Sequence, residues 1–264
     1  MKHLVLSLFI LLAMRGVAQV NLVPNPSFEV YDTCPQDPSR IQYATSWFQP
    51  SNGTPDYYNS CFDSLQPWSS VMDVPQNSVG FQNAKTGFAY AGLFTAFPFF
   101  TFSPFREYVE TKLSSPLVPG QKYFVSFWLS LSDSSNYSSD DIGLCFSNDS
   151  ILNDTTYILY ATPQIENPNG NFITDKSGWT MISGEYIAVG GEEFIAIGNF
   201  KDNTNTDTLH VTGGGDASAG SENNAAYYYI DDICISTDSL LCGIGTGIKE
   251  NYESAFQIYP NPVR

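Results

Sequence analysis

The sequence is short of positive charge: 11 lysines and arginines stand against 27 aspartates and glutamates, a formal net charge of −16. A surface of that sign repels nucleic acid and anionic lipid headgroups and attracts cations, so no nucleic-acid partner is expected. Histidine is scarce, with only His3 and His210 in the chain. A zinc cluster would need histidines or CxxC pairs, and the cysteines show no such spacing. Long apolar runs are missing after the first 18 residues, so no later segment reaches the roughly 20 apolar residues of a membrane-spanning helix. No stretch sustains a 3.6-residue apolar period, which argues against a helical fold.

The first 18 residues, MKHLVLSLFILLAMRGVA, combine a basic start, an apolar run from Leu4 to Met14 and small residues at Gly16 and Ala18. They read as a cleaved secretory signal, which places the rest in the medium or on the outer cell surface. Losing Lys2 and Arg15 makes the remainder more acidic still. Export permits disulfides. Proximity in sequence favours Cys34–Cys61 and Cys234–Cys242 with Cys145 free in an apolar strand, although five cysteines allow other pairings.

Strand-like runs recur along the chain: 78–82, 87–94, 106–113, 122–131, 141–147, 179–189, 193–200 and 227–236. KYFVSFWLSL (122–131) alternates cleanly, with Tyr123, Val125, Phe127 and Leu129 on one face. Turn clusters such as PLVPGQ, NPNGN and TGGGDASAG separate the runs. About nine strands of this kind read as an all-β antiparallel sandwich, a jelly roll, expected over 19–242 and followed by a linker at 243–256.

The run YYYIDDICIS (227–236) sets Asp231 and Asp232 among aromatics and isoleucines. Strict alternation puts Asp231 with Tyr229, Ile233 and Ile235 on one face, and Ile230, Asp232 and Cys234 on the other. A carboxylate among apolar neighbours needs a metal, amide or hydroxyl partner.

NLVPNPSFE (21–29) and YYYIDDICIS resemble the first and last strands of galactose-binding-like jelly rolls, the fold of many carbohydrate-binding modules. TPDYYNSC, VPQNSVGFQ, REYVETKLSSPLVPGQKY and GGEEFIAIGNF together resemble a secreted domain common in Bacteroidetes surface proteins. The terminal YPNPVR, within 257–264, is similar to the opening of the C-terminal sorting domain of type IX secretion. That likeness implies a tail that engages the secretion machinery, and a chain cut short of the full sorting domain. The galactose-binding-like resemblance implies a structural calcium ion (Ca2+) where Glu29 and Asp231 meet, with backbone oxygens of Asn25 and Ser27 as further ligands.

It also implies a noncatalytic module for glycan binding or adhesion, with a polysaccharide or glycoconjugate as partner. Trp47, Tyr57, Tyr58 and Trp68 lie in loop-like segments and are the candidate rings for stacking on sugar faces. A structural or protein-interaction domain without a sugar site is the alternative, favoured if these rings are buried. No catalytic set stands out: His210 adjoins a glycine-rich turn, and DASAG (216–220) lacks the leading glycine of a nucleophile elbow. In FTAFPFFTFSPF (94–105), Pro98 and Pro104 disfavour a central strand, so Phe97, Phe99 and Phe100 are expected at a projecting hairpin tip that meets a partner.

Overall fold

A computed structural model describes residues 20–63, 71–97, 104–216 and 223–245. The segment 1–18, Trp68, Phe99, Phe100 and the tail 246–264 lie outside them. In chain order the strands are β1 (Trp47–Phe48), β2 (Asp56–Asn59), β3 (Gln76–Asn77), β4 (Gly80–Phe81), β5 (Ala89–Ala96), β6 (Tyr108–Lys112), β7 (Lys122–Leu131), β8 (Tyr137–Ser139), β9 (Gly143–Ser147), β10 (Ile165–Glu166), β11 (Thr180–Ile187), β12 (Phe194–Gly198), β13 (Thr208–His210) and β14 (Ala226–Ser236). A single 3-10 turn at Ile41–Tyr43 is the sole helical element among the described residues.

Two five-stranded sheets, β1–β6–β12–β9–β10 and β11–β7–β14–β5–β2, form an antiparallel jelly-roll sandwich. Alternation explains the core. Tyr123, Val125, Phe127 and Leu129 of β7 point inward and share one apolar cluster with Val109 of β6, Leu144 of β9 and Ile195 and Ile197 of β12. Both expected disulfides, Cys34–Cys61 and Cys234–Cys242, are formed, and Cys145 is free and buried.

Two local expectations change. Residues 21–29 do not form a strand; they run beside the end of β14. Leu22 N donates to Ile235 O at 2.8 Å, and Ile233 N to Pro26 O at 2.9 Å. Asn25 and Phe28 have φ of 49° and 61°, which breaks the extended path, and the nearby prolines cannot donate to a ladder. The second change is a β-bulge in β14, where the register shifts between Asp231 and Cys234 and Asp232 has φ 49°. The extra residue sends Ile230, Ile233 and Ile235 into the core. Asp231 therefore leaves the isoleucine face and shares the outer face with Tyr227 and Tyr229.

Each outer face is also covered. Tyr58, Tyr90, Tyr227 and Tyr229 lie under Met72, Val74, Val79 and Ala84. Tyr108, Cys145, Ala196 and Phe200 of the other sheet lie under Ile151, Leu159 and Ala161.

Candidate functional site

The charged strand finds its partners in one turn. Asp231 is fully buried; its Oδ2 accepts from Lys85 N at 2.8 Å and Thr86 N at 3.3 Å, and its Oδ1 from Asp232 N at 2.7 Å. Glu29 Oε1 accepts from Phe88 N at 2.7 Å and Ala89 N at 3.0 Å. Both acids thus converge on residues 85–89. Between them Gly87 has φ +66°, and a Cβ there would stand 2.2 Å from Glu29 Oε1, so glycine is what lets the carboxylate reach the amides. Asp232 accepts from Thr86 Oγ1 at 2.6 Å. Burial, and then the charge of Asp232, push the Asp231 carboxyl well above the ordinary range, while the three amides oppose the rise.

This donor set does not fit a calcium cage. Calcium takes six to eight oxygens, whereas backbone N–H groups already reach both oxygens of Asp231 and Oε1 of Glu29. Asn25 O accepts from Trp47 Nε1 at 2.9 Å and so has a partner within the protein. No group of three or more acidic, histidine or cysteine side chains among the described residues is placed to hold a metal. The expected result is one melting temperature in calcium and in chelator, with Asp231→Ala lowering it equally in both. A loss confined to the calcium buffer would restore the ion.

Of the rings expected to stack on sugar, the three described ones, Trp47, Tyr57 and Tyr58, are inside the protein. Trp47 is 2% exposed, packs on Phe28 with ring centroids 4.8 Å apart and donates to Asn25 O. Tyr57 is fully buried and donates to Phe28 O at 2.8 Å. Tyr58 meets Tyr229 edge to face, and its hydroxyl pairs with that of Tyr227 at 2.9 Å. Each polar tip has found an internal partner, which makes burial of the ring favourable. Phe97 is likewise buried against Phe94 and Phe105, at 4.6 and 5.7 Å, and is not an exposed tip.

One open surface lies at the β9–β10 edge of the first sheet. A cleft of about 220 Å³ is bounded by Asp141, Ala161, Glu166, Asn169, Phe200 and Lys201. Asp141 leads into β9, Glu166 belongs to β10, and Phe200 and Lys201 come after β12. Lys201 Nζ donates to Asp141 Oδ1 at 2.5 Å, which raises the lysine pKa. Asp141 Oδ2 accepts from Asp207 N, which fixes the carboxylate from the other side. The neighbouring Asn167 is locked by bonds to Asp140 O at 2.9 Å and Asn171 O at 2.7 Å. Exposed Glu166 and Asn169 present an acceptor and an amide over an apolar floor.

Tyr160 stands next to this cleft, 78% exposed. Its chain neighbours hold it there: Leu159 is buried and its N donates to Tyr108 Oη at 3.2 Å, while Ala161 borders both this cleft and a second of about 440 Å³ that Tyr160 itself lines. The stretch DTTYILY (154–160) carries two tyrosines, Tyr157 and Tyr160, but nothing in it shows which of them would be exposed. Exposure at position 160 results from Leu159 packing inward across the sheet.

No protein-family model matches the sequence, and no curated protein sequence matches it. Solved structures do show a likeness. The CBM22-1 xylan-binding domain of Paenibacillus barcinonensis Xyn10C is 12% identical with a TM-score of 0.38, over 80% of this chain and 90% of that one. The K1 cleaved adhesin domain of Lys-gingipain from Porphyromonas gingivalis W83 is 12% identical with a TM-score of 0.35, over 79% and 94%. TmCBM61, solved with beta-1,4-galactotriose, is 16% identical with a TM-score of 0.29, over 82% and 97%. Scores this low carry no functional argument, which has to come from the cleft itself.

Proposed function

We propose that the protein is a noncatalytic glycan-binding module of the outer cell surface or medium. The observation that carries this reading is Tyr160, a ring left 78% exposed beside a cleft with charged and amide walls. A sugar face stacks on the ring, and its hydroxyls meet Glu166, Asn169 and the Asp141–Lys201 pair. The type IX route suggested by YPNPVR belongs to the same reading, as the way such a module reaches the surface.

Hydrolysis is not part of it. A glycosidase needs a general acid with a raised pKa facing the bond. Asp141 is committed to Lys201 and an amide, while Glu107 and Glu110, whose carboxyls are raised, are buried in β6 and its approach.

A glycan array followed by calorimetry tests the reading. Tyr160→Ala is expected to weaken binding at least about tenfold, roughly the 1.4 kcal/mol of a lost stacking contact, with the melting temperature unchanged. The burial of Trp47, Tyr57 and Tyr58 favours the second reading, an interaction domain without a sugar site. A blank array would decide for it.

A further inference from the structure

Exposure alternates along the segment that carries Tyr160. Leu159, Ala161, Pro163 and Ile165 are buried or half-buried, whereas Tyr160, Thr162, Gln164 and Glu166 are exposed. A period of two is that of an extended chain, whose alternate side chains share one side. The inner side of the segment is fastened to the sandwich. Leu159 N donates to Tyr108 Oη, which donates in turn to Asn199 O at 2.6 Å. Gln164 is tied to β9: its N donates to Leu144 O at 3.0 Å, and its Oε1 accepts from Phe146 N at 2.6 Å. Tyr160, Thr162 and Glu166 are left on the outer side, where none of their side chains makes a hydrogen bond or ion pair with another described residue.

The two clefts meet at Ala161, with Tyr160 lining the larger and Thr162 and Glu166 the smaller. Neither is enclosed, so a chain lying in them can leave at both ends. An extended run from 160 to 166 covers about 20 Å at the rise of a strand. That is several times the width of a pyranose, a six-membered ring built from bonds of about 1.5 Å. A sugar residue stacked on Tyr160 therefore does not reach Glu166, and further residues are needed to use that carboxylate. Among the described residues, Lys201 is the only base lining either cleft, and it is committed to Asp141. A wall of this kind accepts hydroxyl protons and repels carboxylate or sulfate.

We infer that the two clefts form one groove, running past Tyr160, Thr162 and Glu166, that holds consecutive residues in the interior of a linear, uncharged polysaccharide. The inference rests on the glycan-binding reading and adds chain length and charge to it. Calorimetry on the full chain tests it with β-1,4-linked glucose, mannose and xylose oligomers of one to six residues, and with oligogalacturonate as the charged control. In at least one neutral series affinity is expected to rise about tenfold or more from two residues to four, and to stay the same when the reducing end of the longest oligomer is converted to an alditol. Glu166→Ala, at an exposed position, is expected to weaken the tetramer about fivefold and leave the dimer unchanged, whereas Tyr160→Ala weakens both; neither moves the melting temperature. Affinity already complete with one or two residues, or a Glu166→Ala loss equal for dimer and tetramer, would overturn the groove and leave the module reading standing. Oligogalacturonate bound as tightly as the neutral oligomers would overturn the uncharged chain. Binding of none of the neutral series would overturn the linear polysaccharide, and a blank glycan array as well would overturn both readings.

Discussion

Asn77→Ala is expected to lower the unfolding free energy by about 3 kcal/mol or more, although it removes only a small side chain. Asn77 belongs to the short β3–β4 hairpin and is buried over the tyrosine face of the second sheet. Its Nδ2 donates to Tyr90 Oη at 2.9 Å, while its Oδ1 accepts from Tyr229 Oη at 2.8 Å and Val79 N at 3.1 Å. Tyr90 in turn donates to Gln82 O at 3.0 Å, so one amide ties the covering segment to two tyrosines. Removing it orphans the Tyr229 hydroxyl and the Val79 amide, and each buried unsatisfied group costs about 1–3 kcal/mol. Tyr229→Phe on the Asn77→Ala background removes one orphan. The double variant should therefore lose clearly less than the two single variants combined in denaturant titrations. Additive losses would show that the amide and the hydroxyl act independently.

This tyrosine face also shows where the sequence stops being informative. The strands of the sandwich were legible, because alternation in KYFVSFWLSL is a local property and β7 occupies that same span. The bulge at Asp231 was not, since one extra residue leaves composition untouched and only exchanges the two faces of the strand beyond it. Ring exposure was equally hidden. Tyr58 is buried because its hydroxyl meets Tyr227, 169 residues away, and Tyr160 is exposed because Leu159 turns inward onto Tyr108. Charge placement misled in the same way: REYVETKL reads as a strand, but nothing in it shows that Arg106, Glu107 and Glu110 would all be buried. The exposed cleft fell to residues whose neighbours come from distant loops, while the described aromatics Trp47, Tyr57, Tyr58 and Phe97 went to packing.

The burial of Glu107 gives the stability of the protein a pH dependence of definite sign. Its Oε1 accepts from Thr54 N at 3.1 Å and its Oε2 from Phe94 N at 2.9 Å, so the side chain fastens β5 to the loop before β2. Burial, and then the charge of nearby Asp56, push its carboxyl up to about 8. Burial raises Glu110 in the same direction, to about 7, with one carboxylate oxygen left without a partner. In the unfolded chain both groups titrate near the ordinary value of about 4.3. Between that value and about 8 the folded state keeps protons that the unfolded state has released. The stabilisation is thus fully present below the unfolded pKa and is lost as pH rises through the folded one. Each tenfold difference in proton affinity between the two states is worth about 1.4 kcal/mol, so the decline from pH 5 to pH 8.5 is on the order of a few kcal/mol. Self-repulsion of the acidic surface acts in the same sense. Glu107→Gln keeps the shape and the acceptor for Phe94 N while removing the charge, at the cost of the acceptor for Thr54 N. It is therefore expected to lower stability near pH 5 by about 1–3 kcal/mol for the lost Thr54 N–H acceptor, and to flatten the decline from pH 5 to pH 8.5 to the contribution of Glu110 and Asp231. Urea titrations of both proteins across that range measure it, and an undiminished slope in the variant would place the missing proton on another group.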